Sequence, residues 1–146
     1  MDMSQIIEAV RSFDGALVVA PDAGSAFPEL AWGDAFFFYA PDGRMPERTQ
    51  PYATIITKDY PDDAGSGLDA PGRFRVNVHL ARDRAAQLAS AAGRVSEADV
   101  VLRHPLYGDA GWVCVVNPLS RTADLVLELL REAHDAARAR ATRRGR

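Results

Sequence analysis

The seven residues from Phe74 to Leu80 alternate strictly between apolar and polar side chains. Because successive side chains of a strand point to opposite faces, this pattern predicts a strand with one apolar and one polar face. The polar face carries Arg75, Asn77 and His79, spaced about 7 Å apart by the rise per residue of a strand. Asparagine is uncommon in strands because it competes for backbone hydrogen bonds. We therefore expect a binding surface here, with a solvated sheet face carrying incidental polar residues as the alternative.

Composition indicates an ordinary globular protein forming one domain over residues 1–146, with 138–146 as a basic tail. The net charge of −3 creates no overall positive field, which disfavours nucleic acid as a partner. The single cysteine, Cys114, excludes an intramolecular disulfide and fits a reducing compartment. No signal peptide or membrane-spanning run is recognised, so we expect a cytoplasmic protein, monomeric or homodimeric, that does not enter membranes.

Local patterns predict three helices and six strands. The predicted helices are 2–13, 82–92 and 121–143, and the predicted strands are 16–20, 30–40, 52–60, 74–80, 100–103 and 112–116. The strands cluster in sequence instead of alternating strictly with helices. This order favours an α+β fold, in which an antiparallel sheet of five or six strands packs against three helices.

Four blocks of the sequence are distinctive: 32–43 (WGDAFFFYAPDG), 53–61, 74–79 and 104–112. Together they resemble an actinobacterial domain family of unknown function, family 6194. More distantly, a strand pair holding Trp112, followed by Pro118 and a closing amphipathic helix, resembles MmcQ/YjbR-like proteins. That second resemblance implies a frataxin-like α+β sandwich and a DNA-binding role.

The polar strand face supplies the principal candidate site. In the functional interpretation Arg75 binds an anion, Asn77 orients that anion, and His79 donates or accepts a proton near neutral pH. Lys58, placed in the preceding strand, is a second catalytic candidate, because a desolvated lysine acts as a base or nucleophile. The alternative for Lys58 is an edge-strand lysine that discourages aggregation.

Four further residues are candidates for ligand binding. Trp32 and Tyr60 are predicted to form the walls of a pocket, since pockets are mainly apolar with a few polar anchors. Asp34 lies among aromatic residues, where it either pairs with a cation or sits at the pocket rim. His104 either faces the same cleft as His79 or is a structural histidine bonded to a carbonyl group.

Charged clusters elsewhere have simpler explanations. One cluster is the set of aspartates at 59, 62, 63 and 69, which lack the spacing of a calcium loop. The other is an acidic stripe on the closing helix, at 124, 128, 132 and 135, which suits a salt-bridged, solvated face. The sequence thus predicts no metal and no cofactor. The arginines at 138, 140, 143, 144 and 146 fit the negative end of a helix dipole, with phosphate binding as the alternative.

The sequence therefore predicts a domain that binds an anionic or carbonyl-bearing small molecule on its polar sheet face, and whether it is an accessory enzyme stays open. A nucleic-acid-binding protein of YjbR-like type is one alternative. A structural or partner-binding module without a ligand is the other.

Overall fold

The computed structural model describes residues 1–89 and 93–144. The helices are α1 (Met3–Arg11), α2 (Arg82–Leu88) and α3 (Ala123–Arg144), and the strands are β1 (Ala16–Val19), β2 (Ala35–Tyr39), β3 (Ala53–Ile56), β4 (Arg75–His79), β5 (Leu102–Arg103) and β6 (Trp112–Val116). All six strands join one antiparallel sheet in the order β1-β2-β3-β4-β6-β5. The predicted single α+β domain, with three helices and a six-stranded antiparallel sheet, is confirmed.

Short-range signals locate the start of α1. Asp2 Oδ1 accepts the Gln5 N–H at 2.9 Å, and Gln5 Oε1 accepts the Asp2 N–H at 2.8 Å. This capping box satisfies two N–H groups that the first helical turn cannot pair. Ile6 and Val10 then bury the apolar stripe of the helix against the sheet.

The helices cover one face of the sheet and enclose the main core there. That core includes the apolar face of β4 together with Phe37, Ile55, Val113, Val115 and the stripe of α3 at Val126, Leu129, Leu130 and Ala133. His134 lies inside it at 2 % exposure. Its Nε2–H donates to the Asp14 carbonyl at 2.7 Å, and its Nδ1 accepts the Tyr52 hydroxyl at 3.0 Å. His134 thus joins α3 to the turn after α1 and to the strand region at β3.

Two predicted strands are too long, β2 because of a backbone conformation and β3 because of a tertiary hydrogen bond. Strand β2 begins at Ala35, since Gly33 has a φ of +88° that a strand does not accommodate. Strand β3 ends at Ile56, because the Thr57 N–H turns away to the Asp34 carboxylate. The prediction that Lys58 lies in β3 is therefore wrong. The predicted end of α2 at 90–92 and residues 145–146 of the basic tail lie outside the described residues.

The sheet face opposite the helices is covered by loops. The segment after β3 carries Asp63, Ser66 and Leu68 over this face, and the segment after β5 carries His104. Strand β4 is therefore buried on both faces, and Arg75 has no exposed surface. The polar face of β4 is an interior surface and not a solvated one.

Candidate functional site

A cavity of about 490 Å³ opens on the loop-covered face of the sheet. Its walls are mainly apolar, and its polar lining groups belong to the sheet and the two covering loops. The apolar lining includes Phe36, Ile56, Leu106, Tyr107 and Trp112, and the polar lining includes Thr54, Tyr60, Asp63, Arg75, Asn77 and His104. An apolar space with a few fixed polar groups is the usual form of a small-molecule site.

Arg75 is the centre of the polar floor, and protein groups surround its guanidinium. Nη1 and Nη2 donate to the two carboxylate oxygens of Asp63, and Nη1 also donates to Ser66 Oγ at 2.9 Å. Nε donates to Asn77 Oδ1 at 2.8 Å. The second hydrogen of Nη2 faces the His104 ring, whose Nε2 lies 3.2 Å from Nη2. Four of the five N–H groups of the guanidinium are therefore taken by protein acceptors, and the fifth is covered by the imidazole ring.

The Arg75 and Asp63 pair makes the floor electrically neutral. The Asp63 side chain is 8 % exposed and that of Arg75 is not exposed. Burial alone would raise the pKa of Asp63, yet the hydrogen bonds and charge of Arg75, together with His104, hold that pKa below its ordinary value. Asp63 therefore stays ionised at neutral pH and balances the cation.

Asn77 keeps hydrogen-bonding capacity for a ligand. Its Oδ1 is used by Arg75, and one hydrogen of Nδ2 goes to Thr54 Oγ1 at 2.9 Å. Its second amide hydrogen and the Thr54 hydroxyl hydrogen have no partner among the described residues. Both side chains line the cavity. The floor thus offers neutral N–H and O–H donors, which suit a carbonyl oxygen.

His104 is held as a neutral ring. Its Nδ1 accepts the backbone N–H groups of Leu106 and Tyr107, each at 3.1 Å, while Nε2 faces Arg75. Because Nδ1 accepts, the neutral ring carries its hydrogen on Nε2, 3.9 Å from Asp63 Oδ2, and a protonated ring could not accept the two backbone N–H groups. Burial and the charge of Arg75 lower the pKa of His104 to about 4, against the opposing charge of Asp63. His104 is therefore a structural acceptor at neutral pH.

Replacing His104 with asparagine is expected to reduce the acid sensitivity of the fold. In the unfolded chain the ring binds a proton below its ordinary pKa of 6.5, whereas in the folded chain it does so only near 4. The unfolded state therefore binds more protons in this window. The parent's free energy of unfolding should fall by about 2–3 kcal/mol as pH drops from 6.5 to 4. An asparagine oxygen still accepts nearby backbone N–H groups, and it does not titrate.

Urea unfolding of parent and His104→Asn at pH 7.5, 6 and 5 measures this difference. Asp63 acts in a lower window, because its pKa is below the ordinary 3.8 and its contribution is lost only in stronger acid. An identical pH dependence of the two proteins above pH 4.5 would contradict the assignment to His104.

A second polar cluster lies beside the cavity, with Asp34 at its centre. Asp34 is 1 % exposed and accepts from Thr57 N at 2.8 Å, from Thr57 Oγ1 at 2.7 Å and from Lys58 Nζ at 3.0 Å. The Tyr60 hydroxyl also donates to Asp34. Burial, then this hydrogen bond and the Asp34 charge, raise the pKa of Tyr60. Tyr60 is the member of the cluster that reaches the cavity.

The structure therefore brings four of the predicted site residues together around the cavity: Tyr60, Arg75, Asn77 and His104. The others are placed outside its lining. Lys58 donates to the Trp32 carbonyl as well as to Asp34, and the Trp32 indole donates to Phe27. His79 donates through Nε2 to the Ala110 carbonyl at 2.9 Å and stacks on Trp112 with ring centroids 5.3 Å apart.

Sequence reasoning missed several members of the site. Thr54 carries no distinctive local signal, although its register opposite Asn77 follows from pairing β3 with β4. Asp63 and Ser66 come from the loop rich in glycine and aspartate, where no periodic pattern indicates which side chain turns inward. Their roles emerge only from the contacts with Arg75.

The buried thiol of Cys114 lies next to this floor on β6. Burial raises its pKa to about 11. The charge of Arg75 lowers this pKa and that of Asp63 raises it, and both effects are smaller than that of burial. A thiol with a raised pKa is a poor nucleophile at neutral pH. Cys114 therefore fits the role of a core residue.

Within residues 1–89 and 93–144, no group of three or more His, Cys, Asp or Glu side chains is placed to hold a metal ion. In the same part of the chain, no helix combines the length and the apolar character that crossing a membrane requires.

Comparison with known proteins identifies a family for this chain but no activity. No match to the chain was found among curated proteins or among solved structures. One family model matches residues 1–146, and its description is a family of unknown function. The match covers every element that builds the cavity. The chain belongs to the family of unknown function DUF6194.

Proposed function

We propose that this protein binds a neutral, carbonyl-bearing small molecule with an apolar body in the cavity on the loop-covered sheet face. The observation that carries the proposal is the neutral floor, where Arg75 is paired with Asp63 and covered by protein groups while Asn77 and Thr54 retain donors. The carbonyl oxygen accepts from those donors. The apolar body packs against the surrounding aromatic and aliphatic walls.

The geometry favours a carbonyl group over an anion. An anion gains most from charge-assisted hydrogen bonds, but four N–H groups of Arg75 are taken by protein acceptors and the fifth is covered by the His104 ring. Asp62 adds a further carboxylate to the cavity lining. An anion would therefore lose its hydration without gaining a free cation, whereas a neutral carbonyl has a smaller desolvation cost.

The proposal treats the protein as a binding module and gives the catalytic candidates positioning roles. Lys58 fixes Asp34, and through it Tyr60 at the cavity wall. His79 supports Trp112 by stacking on its ring. An accessory enzyme activity would need a reacting group within reach of the bound carbonyl, and neither Lys58 nor His79 lines the cavity.

Replacing Thr54 with valine is expected to weaken ligand binding without a large change in shape. The substitution removes the free hydroxyl donor and one partner of Asn77. Loss of one such hydrogen bond corresponds to a roughly three- to tenfold rise in Kd. The probes are acetophenone as a neutral carbonyl compound, 1-phenylethanol as its alcohol, and benzoate as an anion. Titrations followed by NMR of the Asn77 side-chain amide give the Kd values.

The expected order of affinity is acetophenone, then 1-phenylethanol, then benzoate. Thr142→Val removes an exposed hydroxyl of α3 that bonds the Arg138 carbonyl and does not line this cavity, and it serves as the matched control for the two neutral probes. Tighter binding of benzoate would instead support an anion site. If a broader panel of carbonyl compounds leaves the Asn77 amide unmoved, the module has no ligand here.

The YjbR-like resemblance motivates nucleic-acid binding as the competing proposal. Its physical support is the set of arginines near the end of α3. Such binding would lose affinity steeply with salt, because each phosphate contact releases counterions. The single buried cysteine motivates a reducing, cytoplasmic setting as a proposal. The resemblance of the sequence blocks motivates an actinobacterial source as a separate one.

A further inference from the structure

We propose a second binding site, independent of the first, for a phosphate monoester with an aromatic or aliphatic body. It is the cleft between the last turns of α3 and the loop that follows β2. This cleft has a volume of about 650 Å³ and lies at the helix-covered edge of the domain. We call it the arginine cleft.

One wall of the arginine cleft is a single face of α3. Ala137, Arg140, Ala141 and Arg144 recur at helical spacing and all line the cleft. Side chains four residues apart on a helix have Cβ atoms about 6 Å apart, so the two guanidinium groups reach the same space. The two alanines leave room between them.

The opposite wall is the loop, and it presents a third guanidinium. Asp42 Oδ1 accepts the backbone N–H of Arg44 at 3.0 Å, so the carboxylate closes the turn instead of pairing with an arginine side chain. The Arg44 side chain is exposed and lines the cleft. The floor is aromatic, with Phe38, Tyr39 and Tyr52.

The positive charges in the arginine cleft lack protein partners. In the described part of the chain, Arg44, Arg140 and Arg144 enter no ion pair and no side-chain hydrogen bond. By contrast, Arg138 on the same helix approaches the Asp14 carboxylate at 3.9 Å. Burial, and then the neighbouring Arg144 and Arg143, lower the pKa of Arg140, which is the effect expected of crowded cations.

A phosphate monoester fits this combination of charge and surface. Guanidinium groups bind phosphate oxygens in bidentate, charge-assisted pairs, and a dianion relieves the repulsion between two cations. The aromatic floor and the small side chains accept the apolar body of the ester. The three arginines are offset by the carboxylates of Asp42 and Glu47 in the lining, so the cleft carries one net positive charge. This small net charge favours a single phosphate over a long polyanion.

The test is a titration of the full chain with phenyl phosphate at low salt, with phenol as the uncharged probe. We expect phenyl phosphate to shift the NMR signals of Tyr39 and Ala141, and phenol to bind at least tenfold more weakly. Arg140→Gln combined with Arg144→Gln should raise the Kd for phenyl phosphate at least tenfold. Arg138→Gln, which removes a charge from another face of α3, should change it less than twofold.

Several outcomes would overturn the proposal. Equal losses in Arg138→Gln and in the double variant would indicate a general charge effect. Equal binding of phenol would remove the role of the phosphate. Tighter binding of a single-stranded oligonucleotide, with a steep salt dependence, would make this face a nucleic-acid surface. Thr54→Val should leave phenyl phosphate binding unchanged, which separates this site from the carbonyl site.

Discussion

Replacing Arg75 with methionine is expected to lower the free energy of unfolding by about 3–5 kcal/mol. The methionine fills much of the space of the arginine stem, but it leaves the carboxylate of Asp63 buried without its cation. Ser66 Oγ and Asn77 Oδ1 lose their donors at the same time. Chemical unfolding at pH 7.5, with and without the substitution, measures the loss.

A double-mutant cycle separates the pair from its surroundings. Asp63→Asn alone leaves a buried guanidinium without a counter-charge, so it should also be costly. The combination with Arg75→Met removes both charges and should recover part of the sum of the two losses. Arg82→Met, at an exposed position on α2, is the matched control and should stay within about 0.5 kcal/mol of the parent. A loss below about 1 kcal/mol in Arg75→Met would mean that water in the cavity solvates Asp63.

Replacing Gly111 with alanine should destabilise the fold by about 3 kcal/mol or more. Gly111 has a φ of +99°, and a Cβ there would collide with the backbone carbonyl oxygen of Leu80. The Leu80 backbone cannot move away freely, because the Leu80 N–H donates to the Gly111 carbonyl at 3.0 Å. Backbone strain contributes about 1–2 kcal/mol and overpacking about 1–3 kcal/mol. Thermal or urea unfolding gives the value.

Gly43 offers the control that isolates the two contributions. Its φ of +75° is also left-handed, but a Cβ at this position meets no atom within 4 Å. Gly43→Ala should therefore cost only the strain, about 1–2 kcal/mol. Similar losses at the two glycines would show that the backbone near Leu80 relaxes around the added methyl group.

Much of the fold is readable from short-range pattern. The alternation in β4 predicts its two faces, and the spacing of Asp2 and Gln5 predicts the start of α1. Both signals depend only on neighbours in sequence. The predicted end of β3 is wrong because the Asp34 carboxylate takes the Thr57 N–H from across 23 residues. No local sequence pattern predicts a hydrogen bond between residues that far apart in the chain.

The candidate site was predictable in position but not in character. Alternation places Arg75 and Asn77 on one face, and this face does line the cavity. The sequence does not show that Asp63 and His104 fold over Arg75 and enclose its guanidinium. As a result, an arginine expected to hold a ligand is a structural cation, and the free donors belong to neutral side chains beside it.

The position of His134 has a consequence for how the chain folds. Its hydrogen bond to Asp14 spans 120 residues, and α3 supplies the cover for the central strands of the sheet. Contacts this distant in sequence form late, since the entropy of closing a long loop must be met first. Until α3 docks, the apolar side of the sheet faces water. During synthesis, that interval is when self-association competes most strongly with folding.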